Sequence, residues 1–522
     1  MMDKGMSPES ISHSAEKKQP SAPNSIDDLR IAVGQARAVQ EEWEATPLKQ
    51  RIKRILQIRR FIVDHIDELA DVIAADNGKT RVDAMATECV AMTMAISYYC
   101  RNAPEFLRDQ KISPGNLLMA NKRSVLTQVP CGVVGIISPW NYPASIPFSE
   151  IIPALLAGNA VIFKGASETQ AVSRFLRRSI EAADLPEGLF HHINMPGRVA
   201  GDAFLDAGID KLFFTGSVSV GKYLMQKASA TLTPVSLELG GNDPMIVCED
   251  ADLCRAAKGA VWAGLQNAGQ SCGGVERIYV DRRIYAPFLD ELKTGVEALR
   301  IGPDSNFDTD IGRMTTGRQL EAVNRHVSDA MEKGATVFAR SDPPEGTQGQ
   351  FLPCLVLTDV HHGMLLMKEE TFGPVLAVMP FDSIDEAVSL ANDSELGLTA
   401  SVWSKDSSKA QSIARRLLAG AVTINDHLMS HGLVETPWGG FKNSGIGRTH
   451  GRLGFAEMTR QRVIVNDIMP GVRRNFWWHP YSRKLYEGLR GITRLLYGRG
   501  PIERLRGAVA LLKVFPRTFG KT

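Results

Sequence analysis

Cys272 stands in Gln266-Asn267-Ala268-Gly269-Gln270-Ser271-Cys272, and Glu238 stands 34 positions earlier in Leu237-Glu238-Leu239-Gly240-Gly241-Asn242. A cysteine in a turn of Gly, Gln and Ser reads as an exposed nucleophile. A carboxylate in a second glycine-rich turn reads as its base, or as the group that activates water. Thiolate attack at neutral pH needs the free thiol pKa of about 8.5 lowered, or offset by a neighbouring base. A base useful near pH 7 needs its own pKa raised, which partial burial provides. Gly269, Gly273 and Gly274 flank Cys272 and let backbone approach a substrate. The six other cysteines, at 89, 100, 131, 248, 254 and 354, read as small buried hydrophobes.

Two further motifs sit apart from these: Pro139-Trp140-Asn141-Tyr142-Pro143 and Glu370-Thr371-Phe372-Gly373-Pro374-Val375. With four separated motifs in order over about Asp27 to Ile468, the chain resembles the NAD(P)-dependent aldehyde dehydrogenase superfamily. The resemblance implies that Cys272 attacks an aldehyde and forms a thiohemiacetal. Hydride then passes to NAD(P), and the resulting thioester is hydrolysed to a carboxylic acid. Asn141 matches the family's oxyanion donor, with the Cys272 backbone N–H as its partner. Glu238 matches the general base, and its presence argues against a relative that passes the acyl group to CoA.

Hydride transfer needs a cofactor, because no side chain accepts hydride. No G-x-G-x-x-G follows a strand, but Phe214-Thr215-Gly216-Ser217-Val218-Ser219-Val220-Gly221 opens a helix after an apolar run. Backbone N–H groups there suit a pyrophosphate. By resemblance this is the dinucleotide turn, with Phe214, Thr215, Gly216, Ser217 and Val220 at the cofactor. Ile137, Ser138, Pro139, Trp140 and Leu239 join them. Lys164 matches the lysine on the adenosine ribose. Glu370 and Phe372 match the residues at the nicotinamide ribose, with proton transfer as a second role for Glu370. Gly197 and Gly201 fit a helix approaching the adenine side.

The chain also departs from the family. The frequent Lys-Pro-Ser-Glu is Lys164-Gly165-Ala166-Ser167-Glu168 here, so Ser167 takes the acid's place. An acid there repels a 2′-phosphate, and serine removes that barrier. Lys164 and Arg198 could then pair with phosphate. NADP becomes credible, and NAD is placed ahead of it because Glu168 can still reach the ribose. Met195 replaces a usual glycine before Gly197.

These groups need a scaffold. A helical lead-in from Asp27 to about Leu107 carries apolar residues at three- and four-residue steps, such as Ile52, Ile55, Ile58 and Ile62. Short apolar runs then alternate with helical stretches: Val133–Ile137, Ala160–Phe163, His191–Asn194 and Lys211–Phe214. That alternation predicts an open parallel sheet. The expected fold is α/β and aldehyde dehydrogenase-like. It has a Rossmann-like cofactor domain, an α/β catalytic domain and a small oligomerisation β-arm. Residues 1–25 read as a flexible tail. Residues 26–237 form the cofactor domain, with part of the arm near 120–130, and 238–430 the catalytic domain. Residues 431–470 return to the cofactor domain and add an arm strand, Arg462–Val465. By resemblance the arm makes a homodimer or homotetramer.

The 522 residues carry a net charge of only +2, unevenly spread. Residues 471–522 hold 12 Lys and Arg against Glu487 and Glu503, a net +10, which leaves 48 basic against 56 acidic residues elsewhere, a net −8. Within the tail, Leu485, Leu489, Ile492 and Leu496 fall on one helical face, and Arg483, Glu487, Arg490 and Arg494 on the other. Phe476, Trp477, Trp478 and Tyr481 precede them. That pattern suits a helix lying in an anionic membrane surface, or one docked on the enzyme's acidic body. Nucleic acid is not an expected partner. Seven cysteines without a CxxC pair suit a reducing compartment, and no apolar run reaches 18 residues. A cytoplasmic enzyme, with peripheral membrane association as an option, is expected.

The substrate is less legible. Ser145 and Ser149 follow Asn141 where relatives often carry bulky side chains, so they are expected to widen the tunnel entrance. His427 and His431 lack partners at metal spacing and read as loop residues, with substrate contact as the alternative; no metal is expected. No arginine cluster awaits a carboxylated aldehyde. A hydrophobic aldehyde, long-chain or aromatic, is therefore preferred over a small polar one such as succinate semialdehyde or betaine aldehyde. A non-redox thioester or ester hydrolase and a membrane-bound scaffold are the remaining alternatives.

Overall fold

A computed structural model describes residues 23–469 and 471–520. The N-terminal tail expected over 1–25 lies almost wholly outside the described residues. The chain divides into two compact units. One runs up to Leu107 and from Val129 to Arg460; the other takes Arg108 to Gln128 and the chain from Gln461 onward.

The larger unit begins with helices α1 (Ile26–Ala45), α2 (Leu48–Asp64), α3 (Ile66–Asn77) and α4 (Val90–Phe106). Their apolar stripes converge: Ile55, Ile58 and Ile62 of α2 are fully buried. Ser25 starts α1 with a capping box, in which Asp28 N donates to Ser25 Oγ at 3.1 Å and Ser25 N to Asp28 Oδ2 at 2.8 Å.

Two sheets follow. The first contains β1 (Val133–Ile137), β2 (Ala160–Lys164), β3 (Phe190–His192), β4 (Lys211–Thr215) and β5 (Val235–Glu238). The second contains β6 (Asp243–Val247), β7 (Val275–Asp281), β8 (Thr336–Ser341), β9 (Cys354–Thr358), β10 (Val375–Phe381), β11 (Thr399–Trp403) and β12 (Ala421–Ile424). The chain then returns to the first sheet with β13 (Gly445–Ile446). The orders are β13-β5-β4-β1-β2-β3 and β8-β9-β10-β7-β6-β11-β12. All pairings are parallel except β13 with β5 and β8 with β9. β1, β2, β6, β7, β9 and β11 are buried along their whole length, as continuous apolar runs with cover on both faces should be.

In the first sheet the chain goes from β1 outward through β2 to β3, then crosses back to β4 on the other side of β1. This reversal opens a crevice at the carboxyl ends of β1 and β4, where Ile137-Ser138 and Thr215-Gly216 lie. Helices α5 (Ser145–Ala157), α6 (Gly197–Asp206) and α7 (Val218–Ala228) start at the carboxyl-end side of this sheet's strands. Between β6 and β7 of the second sheet runs α8 (Leu253–Leu265), which leads directly into the Cys272 loop.

The smaller unit holds a three-stranded sheet, Gln110–Ile112 beside Lys122–Pro130 beside Thr459–Asp467. Val463, Ile464 and Val465 on its last strand are each at least half exposed. The tail forms a hairpin of α9 (Arg483–Tyr497) and α10 (Pro501–Leu512). Ser482 caps α9, and Pro501 occupies the first turn of α10, where its missing N–H costs nothing. The apolar stripe expected to meet a membrane mostly does not face outward. Leu485 is buried with Phe476 and Val514, and Leu489, Ile492 and Leu511 pack against them. Of the stripe only Leu496 is exposed. The reason is in the glycines, which let two helices touch backbone to backbone. A Cβ on Gly507 would lie 2.5 Å from the Gly491 carbonyl oxygen, and one on Gly488 2.4 Å from Val514. No described helix is long and apolar enough to cross a membrane.

Candidate active site

Cys272 is carried by a strained loop. After α8, Asn267, Ala268 and Gly269 adopt φ of 52°, 54° and 72°, three left-handed residues in a row. Such backbone costs about 1–3 kcal/mol per non-glycine residue and persists only where its surroundings over-determine it. They do so here. Asn267 N donates to Asp83 Oδ2 at 2.8 Å, and Asn267 Nδ2 donates to the Asn141 and Gln270 carbonyls at 2.9 and 3.1 Å. The Gln270 side chain donates to Asn267 O and accepts from Thr315 N, each at 2.9 Å. Gly269 is required sterically: an added Cβ would lie 2.1 Å from the Gly373 oxygen.

The carboxylates converge on this loop. Glu238 ends β5 and is 7% exposed, with Oε2 lacking a hydrogen-bond partner. Burial holds its carboxyl well above the usual range, and the charge of Glu150 adds to this. The Cys272 thiol is likewise pushed up by burial first, then by Glu370, Asp243 and Glu238. A thiol so placed would need a base to lose its proton. Cys272 and Glu238 line one small inner cavity with room for water, together with Glu150, Ser149, His431 and Trp438. Gly241 has to be glycine, since a Cβ there would lie 2.4 Å from the Cys272 carbonyl oxygen.

Asn141 is buried, and its Nδ2 donates to Gln270 O at 3.2 Å, which leaves a second amide hydrogen for another acceptor. The loop carrying it is fixed by a residue that sequence patterns did not reveal. Glu88 lies in a π-helical turn, Met85–Cys89, between the short helix Arg81–Ala84 and α4. It pairs with buried Lys79 at 2.8 Å, and its other oxygen accepts from Ala144 N and Ser145 N at 2.7 and 3.2 Å.

Outward from Cys272 opens a cavity of about 300 Å³. Val90, Met94, Trp262, Leu428, Met429 and Leu433 are its large apolar lining, and no Lys, Arg, Asp or Glu lines it. The expected widening by Ser145 and Ser149 is not what forms it. Ser149 lines the inner cavity, and Ser145 lines neither. One face of α4 supplies the wall instead: Val90 and Met94 are exposed while Met92, Ile96 and Tyr99 are buried. Apolar residues on both faces of α4 were the available signal. The two histidines separate. His427 is buried and joined to Ser401 Oγ at 2.7 Å and Gly273 O at 3.1 Å, so it braces the nucleophile loop. His431 lines both cavities, packed edge-on to Trp438 and His450, and burial lowers its pKa to about 4, which keeps it neutral.

The crevice of the first sheet offers its own polar atoms. Ser138 Oγ and Thr215 Oγ1 are buried without partners at the ends of β1 and β4. Lys164 ends β2, 5% exposed, with its pKa lowered by burial and partly restored by Glu168. Ser167 and Glu168 are exposed just beyond it. Gly197 opens α6 beside this lysine: a Cβ there would be 3.8 Å from Lys164 Nζ. Gly201 has a packing role instead, since a Cβ would lie 2.3 Å from Leu224 of α7. Ser217 precedes α7 with extended backbone and makes no side-chain cap, so the first N–H groups of α7 are open to an anion. Val220, on that first turn, is exposed. Phe214 packs over Gly216, and Leu239 over Gly221. Pro139 and Trp140 are half-buried, and the Trp140 ring meets Phe372 edge-on at 5.5 Å. Ile137 is buried at the strand end. Phe372 has φ of 52° and is pinned by buried Glu276, which accepts from Thr371 N and Phe372 N at 2.9 and 2.8 Å. Glu370 turns inward, accepting from Gly241 N at 3.1 Å. Orphaned hydroxyls, a cation and an open helix N-terminus around one crevice fit a dinucleotide.

Two mostly parallel sheets, one with a dinucleotide crevice and one presenting a cysteine beside a buried carboxyl, define a nucleotide-linked oxidoreductase of aldehydes. The aldehyde dehydrogenase family profile matches residues 9–464, and the chain belongs to that family. It is an NAD(P)-dependent aldehyde dehydrogenase. Over 457 residues it is 38% identical to a 4,4'-diapolycopene aldehyde oxidase of Methylomonas sp., covering 87% of this chain and 84% of that protein. It is also 38% identical over 440 residues to a Mycolicibacterium smegmatis protein provisionally named a succinate-semialdehyde dehydrogenase [NADP(+)], covering 84% of each. Among solved structures, an NAD+ complex of aldehyde dehydrogenase from Bacillus cereus matches with a TM-score of 0.81 at 32% identity, covering 86% of this chain and 90% of that one.

Proposed function

We propose that this enzyme oxidises a hydrophobic aldehyde, and that Cys272, Glu238 and Asn141 carry the chemistry. The observation that carries the substrate class is the wall of the outer cavity. It is mainly apolar and aromatic, with hydroxyls from Thr87, Tyr142 and Ser271, a neutral histidine and no cation to receive a carboxylate. Burying a substrate carboxylate there without a partner would be costly. The 38% identity to a protein named for oxidising 4,4'-diapolycopene aldehyde, an apolar substrate, supports the same reading.

In this mechanism Glu238 takes the thiol proton as sulfur bonds to the carbonyl carbon. The carbonyl electron pair moves to oxygen, where the free Asn141 amide hydrogen and the Cys272 N–H receive it. A nicotinamide cofactor supplies the hydride acceptor when bound. Lys164, Ser138, Thr215, the start of α7, Glu370 and Phe372 would hold it. With the acyl group on Cys272 as a thioester, Glu238 first releases the thiol proton to solvent and then takes one from water in the inner cavity. The oxygen of that water attacks the acyl carbon, the C–S bond breaks, the proton passes from Glu238 to the Cys272 sulfur, and the carboxylic acid leaves. The raised carboxyl pKa makes Glu238 a stronger base than a free glutamate. Glu168 beside Lys164 supports NAD, whereas Ser167 leaves room for NADP.

We assign oligomer formation to the exposed three-stranded sheet, as a homodimer or homotetramer, and peripheral contact with an anionic membrane to the basic tail. The enzyme is assigned to the cytoplasm. The test is NADH and NADPH formation by purified full-length protein with aldehydes from C2 to C16, benzaldehyde, succinate semialdehyde and betaine aldehyde. The reading requires kcat/KM to rise with apolar size. Equal or better turnover of succinate semialdehyde would overturn it.

A further inference from the structure

The hairpin leaves α10 with two apolar sides. Gly507, Ala510, Leu511 and Val514 face α9, where they meet Gly488, Gly491 and the Leu495 backbone. The opposite side carries Ile502, Leu505, Val509 and Leu512, at 68, 66, 45 and 67% exposure. These positions recur at three- and four-residue steps, so they form one continuous row. Arg506 and Lys513 fall beside that row on the helical wheel, and both are exposed. Phe515 and Phe519 extend the apolar surface beyond the helix end, each about half exposed. A helix apolar on both sides is ordinarily covered on both.

We propose that the row Ile502, Leu505, Val509 and Leu512 of α10 lies on an anionic lipid bilayer, with Arg506 and Lys513 at the headgroups. The proposal deepens the membrane assignment made above, with a different face doing the docking from the one the α9 stripe suggested. Charge argues against a second copy of the tail, and charge together with the exposed apolar row favours a bilayer. The segment 471–522 carries a net +10, so pairing this face with its copy on a second chain would press two strongly basic surfaces together. An anionic bilayer meets the same charge with the opposite sign and takes apolar side chains at the acyl boundary. Long Arg and Lys stems bordering the row keep their charged ends in the headgroup layer while the row sinks. The hairpin itself gains from the arrangement: Leu485, Leu489 and Ile492 stay in its core, so docking needs no unfolding.

The experiment uses full-length protein and sucrose-loaded vesicles. One set contains phosphatidylcholine alone, and the other phosphatidylcholine with phosphatidylglycerol. We expect co-sedimentation with the anionic vesicles and at least a tenfold weaker apparent affinity for the neutral ones. The double variant L505E/V509E should lose at least tenfold in affinity for anionic vesicles. L485E is not used, because it would break the hairpin core. Turnover of a short soluble aldehyde and the mass in solution are measured on the same preparations, to show that fold and assembly are intact. No binding to anionic vesicles, or binding unchanged by L505E/V509E, would overturn the proposal. So would a change in oligomer mass with vesicle binding retained, which would assign the face to a second copy. Activity toward long aldehydes in detergent tests the substrate reading separately, so either can fail without the other.

Discussion

Glu150 provides a test of the buried electrostatics that does not depend on turnover. It sits in α5, 1% exposed, with Oε2 lacking a hydrogen-bond partner and Glu238 nearby. Burial raises its pKa from 4.5 to about 8. For an acid raised in the folded state, the folded form gains relative stability when protonated. That stability is fully present below the unfolded pKa and is lost as pH rises through the folded one. Each pH unit between those two values costs about 1.4 kcal/mol, so the penalty builds to about 5 kcal/mol by the folded pKa and then levels off. Glu150→Gln keeps the shape and removes the titration. The difference in Tm between Glu150→Gln and the parent, at one scan rate, should be small at pH 5. It should grow in favour of the variant up to about pH 8, and then flatten. A constant difference across pH, or one that grows in favour of the parent, would refute the argument that Glu150 is buried without compensation.

Other expectations follow from the site. Glu238→Gln should slow both attack by Cys272 and thioester hydrolysis, so turnover falls without a burst of reduced cofactor; rapid-mixing absorbance shows it. In the parent, the acid limb of kcat against pH should lie well above the free carboxyl range, since deprotonated Glu238 is required and its pKa is raised. Ser167→Glu should lower kcat/KM for NADP at least about tenfold while sparing NAD, through like-charge repulsion with the 2′-phosphate. Gly269→Ala places a Cβ 2.1 Å from the Gly373 oxygen at φ of 72° and should abolish turnover with a lowered Tm, read by activity and thermal melting.

The parallel core was legible because β1, β2, β4 and β6 are short apolar runs separated by helical stretches, a period any sequence displays. The proposed nucleophile and base stood out because glycine and small polar residues gather where backbone must bend tightly, as at Gly241 and Gly269. Three things were hidden. Glu88 is placed by a π-helical turn, whose extra residue breaks the helical count without a marker residue. Part of the outer cavity's wall comes from the outward face of α4, which a search for core periodicity passes over. The tail's apolar stripe was visible, but its partner was not, because the contact rests on Gly488, Gly491 and Gly507, which read only as weak helix formers.

The two cavities bear on how the product leaves. Cys272, His431 and Trp438 line both of them. On the mechanism proposed above, an acyl chain held in the outer cavity leaves the Glu238 side of the acyl carbon free for water, so the acid departs without crossing the path by which water arrives.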